Sequence, residues 1–111
     1  MPYRARPIHE AKATLFRTLG HPARVRILEL LRDGELSVSA LQAELGLDSG
    51  GTSQHLAALR RVELVEGRRD GTSVLYRVAD DAAFELLDAG RRVVSGAIER
   101  QQGRLRELAR E

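Results

Sequence analysis

The chain has 111 residues, 42% hydrophobic and 4% aromatic, with a net charge of +2 and no cysteine. Such a length suits one domain with a modest core, here necessarily built from Leu, Val, Ile and Ala. The lack of cysteine excludes disulfides, thiolate metal centres and thiol switches within the chain, and no run of about 18 apolar residues or signal-peptide pattern is present, so a cytoplasmic protein with no membrane partner is expected.

Residues 1–7, MPYRARP, have no apolar period and are expected as a flexible N-terminal arm, leaving 8–111 as a single domain. Ile8, Ala11, Leu15, Phe16 and Leu19 follow helical spacing, and Gly20 ends that helix. His21-Pro22 starts the next, with Pro22 in the first turn, where a missing N–H does no harm. Val25, Ile27, Leu28, Leu30 and Leu31 form its inward face, and Asp33-Gly34 closes it.

A short helix follows in ELSVSALQAELG, with Val38, Leu41 and Leu45 inward and Gly46 as its stop. Ser37 or Ser39 caps it; Ser39 with Gln42 fits the capping-box spacing. Asp48 or Ser49 then caps a helix to about Val62, with Leu56 and Leu59 inward. LVEGRR and TSVLYRV read as two strands joined through Asp70-Gly71, a type I′ hairpin signal, with Val74, Tyr76 and Val78 alternating on one face. Phe84, Leu87, Val94, Ile98, Leu105 and Leu108 then mark one long helix over about 80–109, with Asp80 and Asp81 at its positive end.

The order predicts a mainly α chain with a small β-hairpin. Two helices precede a helix-turn-helix at about 38–62, a wing at about 64–78 and a long C-terminal helix at about 80–109. That is the outline of a winged helix-turn-helix with an appended dimerisation helix. All but one of the basic side chains besides histidine are arginine, the exception being Lys12. Arginine makes bidentate contacts to phosphate and guanine, so nucleic acid is a natural partner.

LFRTLGHPARVRILELL (Leu15–Leu31) and LQAELGLDSGGTSQHLAALRRVELVEGRRDGTSVLYRV (Leu41–Val78) resemble the ArsR/SmtB family of bacterial transcriptional regulators. The likeness spans about residues 10–95. It rests on Leu19, His21, Pro22, Arg24, Ile27 and Leu28, then Ser53, His55, Leu56, Leu59 and Arg60, followed by an Arg-Asp-Gly wing.

The resemblance implies that the helix from about Asp48 to Val62 enters the major groove of double-stranded operator DNA. Thr52, Ser53, Gln54 and His55 would then face bases or phosphates. Gly50 and Gly51 weaken the start of that helix, each by roughly 0.8–1.0 kcal/mol against alanine. Either their bare backbone approaches a phosphate, or this helix start stays loose until DNA orders it. Arg68 and Arg69 at the wing tip are expected on the minor groove or phosphates. Arg60 and Arg61 are expected on phosphate or in an intramolecular pair. His21 is expected as a helix-start residue. A palindromic operator calls for a homodimer, joined through Leu15 and Leu19 of the first helix and Leu87, Val94, Ile98 and Leu105 of the last.

Family metal sites use cysteines where this chain has Ser37 and Ser39, or Asp and His on the C-terminal helix, which here has Asp80, Asp81, Glu85, Asp88 and Glu99 but no histidine. No site of either kind is expected, and no cofactor is evident. His9 and Glu10, with Gln102 or carboxylates across a dimer, are the remaining donors for a divalent metal such as nickel or zinc; a solvated first-turn pair is the plainer reading. Control is therefore expected through a small molecule, a metal or a partner protein, or simply through the protein's own abundance. The leading expectation is a sequence-specific repressor. Its alternatives are a nickel- or zinc-responsive regulator with a non-cysteine site and an interaction module that binds DNA only with a partner regulator. No catalytic constellation or phosphate-binding loop is present, so no enzyme is expected.

Overall fold

The computed structural model describes residues 3–111; residues 1 and 2 of the expected arm lie outside the described residues. Helices α1 (Ile8–Leu19) and α2 (Pro22–Leu30) are joined at Gly20-His21, and α2 tightens into a 3₁₀ turn over Leu31–Asp33. Strand β1 (Leu36–Ser37) leads into α3 (Val38–Leu45), then α4 (Ser49–Arg61), β2 (Val65–Asp70), β3 (Ser73–Val78) and the 29-residue α5 (Ala82–Arg110).

The core gathers Ile27, Leu28, Leu31, Leu41, Leu56, Leu59, Val65 and Tyr76. It is where α2, α3 and α4 converge on the inner face of the sheet. Short aliphatic side chains fill this space, as the aromatic-poor composition requires. Within α2 the inward face narrows to Ile27 and Leu28; Val25 and Leu30 are only half-buried.

Three local expectations are corrected. The hairpin is part of a three-stranded antiparallel sheet of order β1-β3-β2, because Leu36 pairs with Tyr76 and Ser37 with Leu75. Ser37 then caps α3, accepting from the Ala40 N–H at 3.1 Å, so Ser39 is not the cap. The wing turn is Gly71-Thr72, closed by the Asp70–Ser73 pair, one residue beyond the expected centre. Positive φ occurs at Gly71 (+64°) but not at Thr72, which fits a type II′ rather than a type I′ turn.

The expected arm does not project freely. The Tyr3 hydroxyl donates to the Val62 carbonyl at 2.9 Å, Arg6 donates to Thr14 Oγ1 at 2.9 Å, and the Pro7 carbonyl accepts from Glu10 and Ala11. Tyr3 thus lies against the end of α4. The space beside it is an apolar groove of about 480 Å³, floored by Ala11, Leu15, Leu64 and Leu86.

Helix α5 leaves the body and stretches the molecule to 65 Å along its long axis. Its first turns are tied down by Arg32, which donates to Asp88 at 2.8 Å and sits 5.1 Å from the Phe84 ring centroid. Beyond them, Val94 is 58% and Leu105 65% exposed, and Val93, Ile98 and Leu108 are exposed too. Val94, Ile98, Leu105 and Leu108 recur at coiled-coil spacing on one stripe. Among the described residues no helix is long and apolar enough to cross a membrane.

Candidate nucleic-acid interface

Helix α4 begins at a tight turn. Gly46 ends α3 at φ +66°, with its N–H and that of Leu47 both on the Gln42 carbonyl. Asp48 caps α4, and its carboxylate accepts from the Gly51 N–H at 2.7 Å; Ser49 is already inside the helix. A Cβ on residue 51 would stand 3.1 Å from Asp48 Oδ1. Gly51 therefore leaves room for an anionic cap. Of the backbone expected to approach a phosphate, the Gly51 N–H is already taken by a carboxylate of this chain. Gly50 is exposed, and a Cβ there would meet Asp48 Oδ1 at an ordinary contact distance of 3.8 Å.

Thr52 is a second correction. It is 0% exposed, and its hydroxyl donates to the Asp48 carbonyl at 2.9 Å. It seats the helix start in the core and faces no DNA. The signal was in the sequence: Thr52 stands four residues before Leu56 and seven before Leu59, on their face.

Ser53 and Gln54 are exposed and make no side-chain hydrogen bond among the described residues. They are the free polar pair on the first turns of α4. His55, half-buried, turns toward α2. Its Nδ1 accepts from Arg24 Nε at 3.2 Å, and its ring centroid lies 4.3 Å from that of His21. Burial, followed by the neighbouring His21 and Arg24, lowers the His55 pKa below its ordinary value.

Of the two arginines ending α4, Arg60 donates to the Tyr76 hydroxyl at 3.1 Å, bracing the helix against β3, while Arg61 is exposed and has no partner among the described residues. The wing splits its pair likewise. Neighbours along a strand face opposite sides. Arg69 shares a face with Val74 and Tyr76, the side that meets α4, and has no partner among the described residues. Arg68 points to the other face, where Glu35 holds it through bonds of 2.8 and 3.1 Å. The Glu35 carboxyl is held below its usual range chiefly by that hydrogen bond, and Arg68 is raised by the same contact. Arg77 and Glu66 pair alongside.

Leu19 and Leu87, expected between two copies, pack against the core of this chain, and Leu15 is half-buried in the groove beside Tyr3. Val94, Ile98 and Leu105 stand exposed. Phe16, 53% exposed, Val93 and Leu108 extend their apolar surface. A groove between α1 and α5 runs past Phe16, Leu19, Leu86, Gly90 and Val94. His9 and Glu10 are exposed on the first turn of α1, and among the described residues no three His, Asp or Glu side chains come together as a metal site. Arg24 and Glu35, absent from the expected site, are placed beside it by contacts 31 and 33 residues away in sequence.

Comparison with known proteins agrees with this fold. A family model described as "Bacterial regulatory protein, arsR family" matches residues 21–67. The HTH-type transcriptional regulator Rv0081 of Mycobacterium tuberculosis is 41% identical over 103 residues, 92% of this chain and 90% of that protein. Its crystal structure superposes with a TM-score of 0.80 over 87% of this chain and 98% of that one. The biofilm growth-associated repressor of Agrobacterium fabrum is 39% identical over 87 residues, covering 75% and 74% of the two chains. A solution structure from Mycobacterium bovis, titled as a homodimeric winged helix-turn-helix DNA-binding domain, is 31% identical with a TM-score of 0.74, covering 84% of this chain and 86% of that one.

Proposed function

Since the chain belongs to the arsR family of bacterial regulatory proteins and is a DNA-binding transcriptional regulator, we propose that it works as a homodimeric repressor on a palindromic operator. The observation that carries the proposal is the free polar pair Ser53 and Gln54 on α4. Thr52, Leu56 and Leu59 seat that helix from behind, and Asp48 caps it. In this reading α4 lies in the major groove, Gln54 reads a base edge, Ser53 and Arg61 meet phosphates, and Arg69 reaches the flanking backbone from the wing.

Two copies are required because one helix reads only a short half-site. The exposed faces of α1 and α5, with Phe16, Val94, Ile98, Leu105 and Leu108, supply the pairing surface. No catalytic role is part of this proposal. Control comes through a small molecule or partner protein, as the absence of cysteine favours. A nickel or zinc response would draw on His9 and Glu10 with further ligands from the second copy. An interaction module that needs a partner regulator differs in one respect: it would not prefer its own promoter when alone.

The test is fluorescence anisotropy with the protein's own upstream DNA against scrambled DNA at fixed salt, first with chelator, then with nickel and with zinc. The expected result is a clear preference for the upstream DNA by the dimer. Equal binding to both sequences would overturn specific recognition. A tenfold shift with one metal would establish the metal-responsive form.

A further inference from the structure

Beside the reading helix, three side chains that can carry positive charge meet without an anion. Arg24 Nε donates to His55 Nδ1 at 3.2 Å, and its Nη1 donates to the Thr18 carbonyl at the end of α1, also at 3.2 Å. The His21 ring lies against His55 at a 58° tilt. A guanidinium only donates, so Nδ1 of His55 carries the lone pair and the ring hydrogen sits on Nε2. The ion pairs among the described residues belong to Arg26, Arg32, Arg68 and Arg77; no carboxylate pairs with His21, Arg24 or His55. The charged groups acting on His55 are His21 and Arg24, at the start of α2. His21 is exposed, so the cluster opens to solvent, next to Ser53 and Gln54.

We propose that His21, Arg24 and His55 form a site for a DNA backbone phosphate at the seam of α2 and α4, and that filling it draws a proton from solvent onto His55. In the free protein, burial first and then the neighbouring His21 and Arg24 disfavour a charged His55. A phosphate supplies the missing anion and reverses that preference. When the proton lands on His55 Nδ1, Arg24 loses its acceptor and its Nε–H is released to the phosphate. A state that takes up protons is favoured as pH falls, so DNA affinity rises on acidification. The inference rests on the DNA-binding reading above, but makes Arg24 and His21 part of the contact and links it to protons.

The experiment compares the affinity of the full-length protein for its upstream and scrambled DNA at pH 7.5 and 6.0, at one salt concentration. The variants are His55→Asn and the double variant His21→Asn with His55→Asn. Asparagine at position 55 offers Arg24 an oxygen where Nδ1 stood, keeping the brace without a proton site. The native protein should bind several-fold tighter at pH 6.0, up to about tenfold per pH unit for each proton taken up. The gain should appear on both DNAs, because phosphate carries no sequence, and should vanish in the double variant. Specific binding with a flat pH profile, or a slope that survives in the double variant, overturns this inference alone. A gain confined to the upstream DNA overturns the phosphate assignment. No DNA binding at either pH overturns the functional reading as well.

Discussion

The Glu35 carboxylate holds the Arg68 guanidinium through two hydrogen bonds across the outer face of the sheet, at 2.8 and 3.1 Å. A wing arginine is thereby neutralised by its own chain, and must exchange Glu35 for phosphate if it is to meet DNA. The pair is solvent-exposed and adds little to folding. Its effect falls on binding. Glu35→Gln should therefore tighten binding to all DNA sequences and steepen the salt dependence by about one unit of log–log slope. An unchanged slope, read from anisotropy titrations over a salt series, would place Arg68 away from the phosphates.

Arg69 has no such partner and lies on the face shared with Tyr76. Arg69→Ala should weaken specific and scrambled DNA alike and flatten the salt slope by about one. Arg68→Ala should do less, because the native side chain is already engaged. Equal losses in the two single variants would show that the Glu35 pair opens freely on DNA.

Thr52 and Gln54 are two residues apart but have different tasks. Thr52→Val keeps the buried volume and removes the hydroxyl bond to the Asp48 carbonyl, costing about 1 kcal/mol of stability in urea unfolding. Operator discrimination should stay as it was. Gln54→Ala should do the reverse, leaving stability intact and losing about 1–3 kcal/mol of discrimination at the read base. A Thr52→Val protein that folds normally yet loses discrimination would return Thr52 to the reading surface.

Glu63 follows α4 in the left-handed region at φ +60°, with its N–H on the Arg60 carbonyl and that of Leu64 on the Leu59 carbonyl. This is a Schellman ending with a glutamate where glycine is at ease. The left-handed conformation costs a residue with a Cβ roughly 1–2 kcal/mol, and glycine gives part of that back through its freer unfolded chain. Glu63→Gly should raise stability by about 0.5–1 kcal/mol. A lowered thermal midpoint would mean that the Glu63 side chain itself matters.

What was legible in the sequence was local. Leu56 and Leu59 announced the inner face of α4 through their spacing, and Gly71 announced the wing turn through its freedom at positive φ. Both signals are carried by neighbours along the chain. The pairs that shape the interface join residues far apart: Arg24 to His55, Glu35 to Arg68, and Tyr3 to Val62 across 59 positions. No period encodes such a contact, so a sequence full of arginine does not tell which ones are free. Strand β1 was missed for a related reason. Its two residues are too few for an alternating pattern, and they become a strand only because Tyr76 and Leu75 present an edge to them.

His55 also ties stability to pH. Its folded-state pKa lies below the ordinary 6.5, through burial first and then His21 and Arg24. As pH falls, the unfolded chain accepts the proton before the folded one does. The His55 contribution is thus fully present above about pH 6.5, declines as pH drops toward the lower folded-state pKa, and is gone below it. Urea midpoints measured at pH 7.5 and 5.5 should show this loss in the native protein. His55→Asn, which keeps an acceptor for Arg24 but has no proton to take up, should lose less over the same interval. Equal losses in both proteins would assign the acid sensitivity to other groups. The DNA-bound state, in which a phosphate faces the same ring, should show the opposite trend, because each form is favoured by acid to the extent that it raises the pKa of this imidazole.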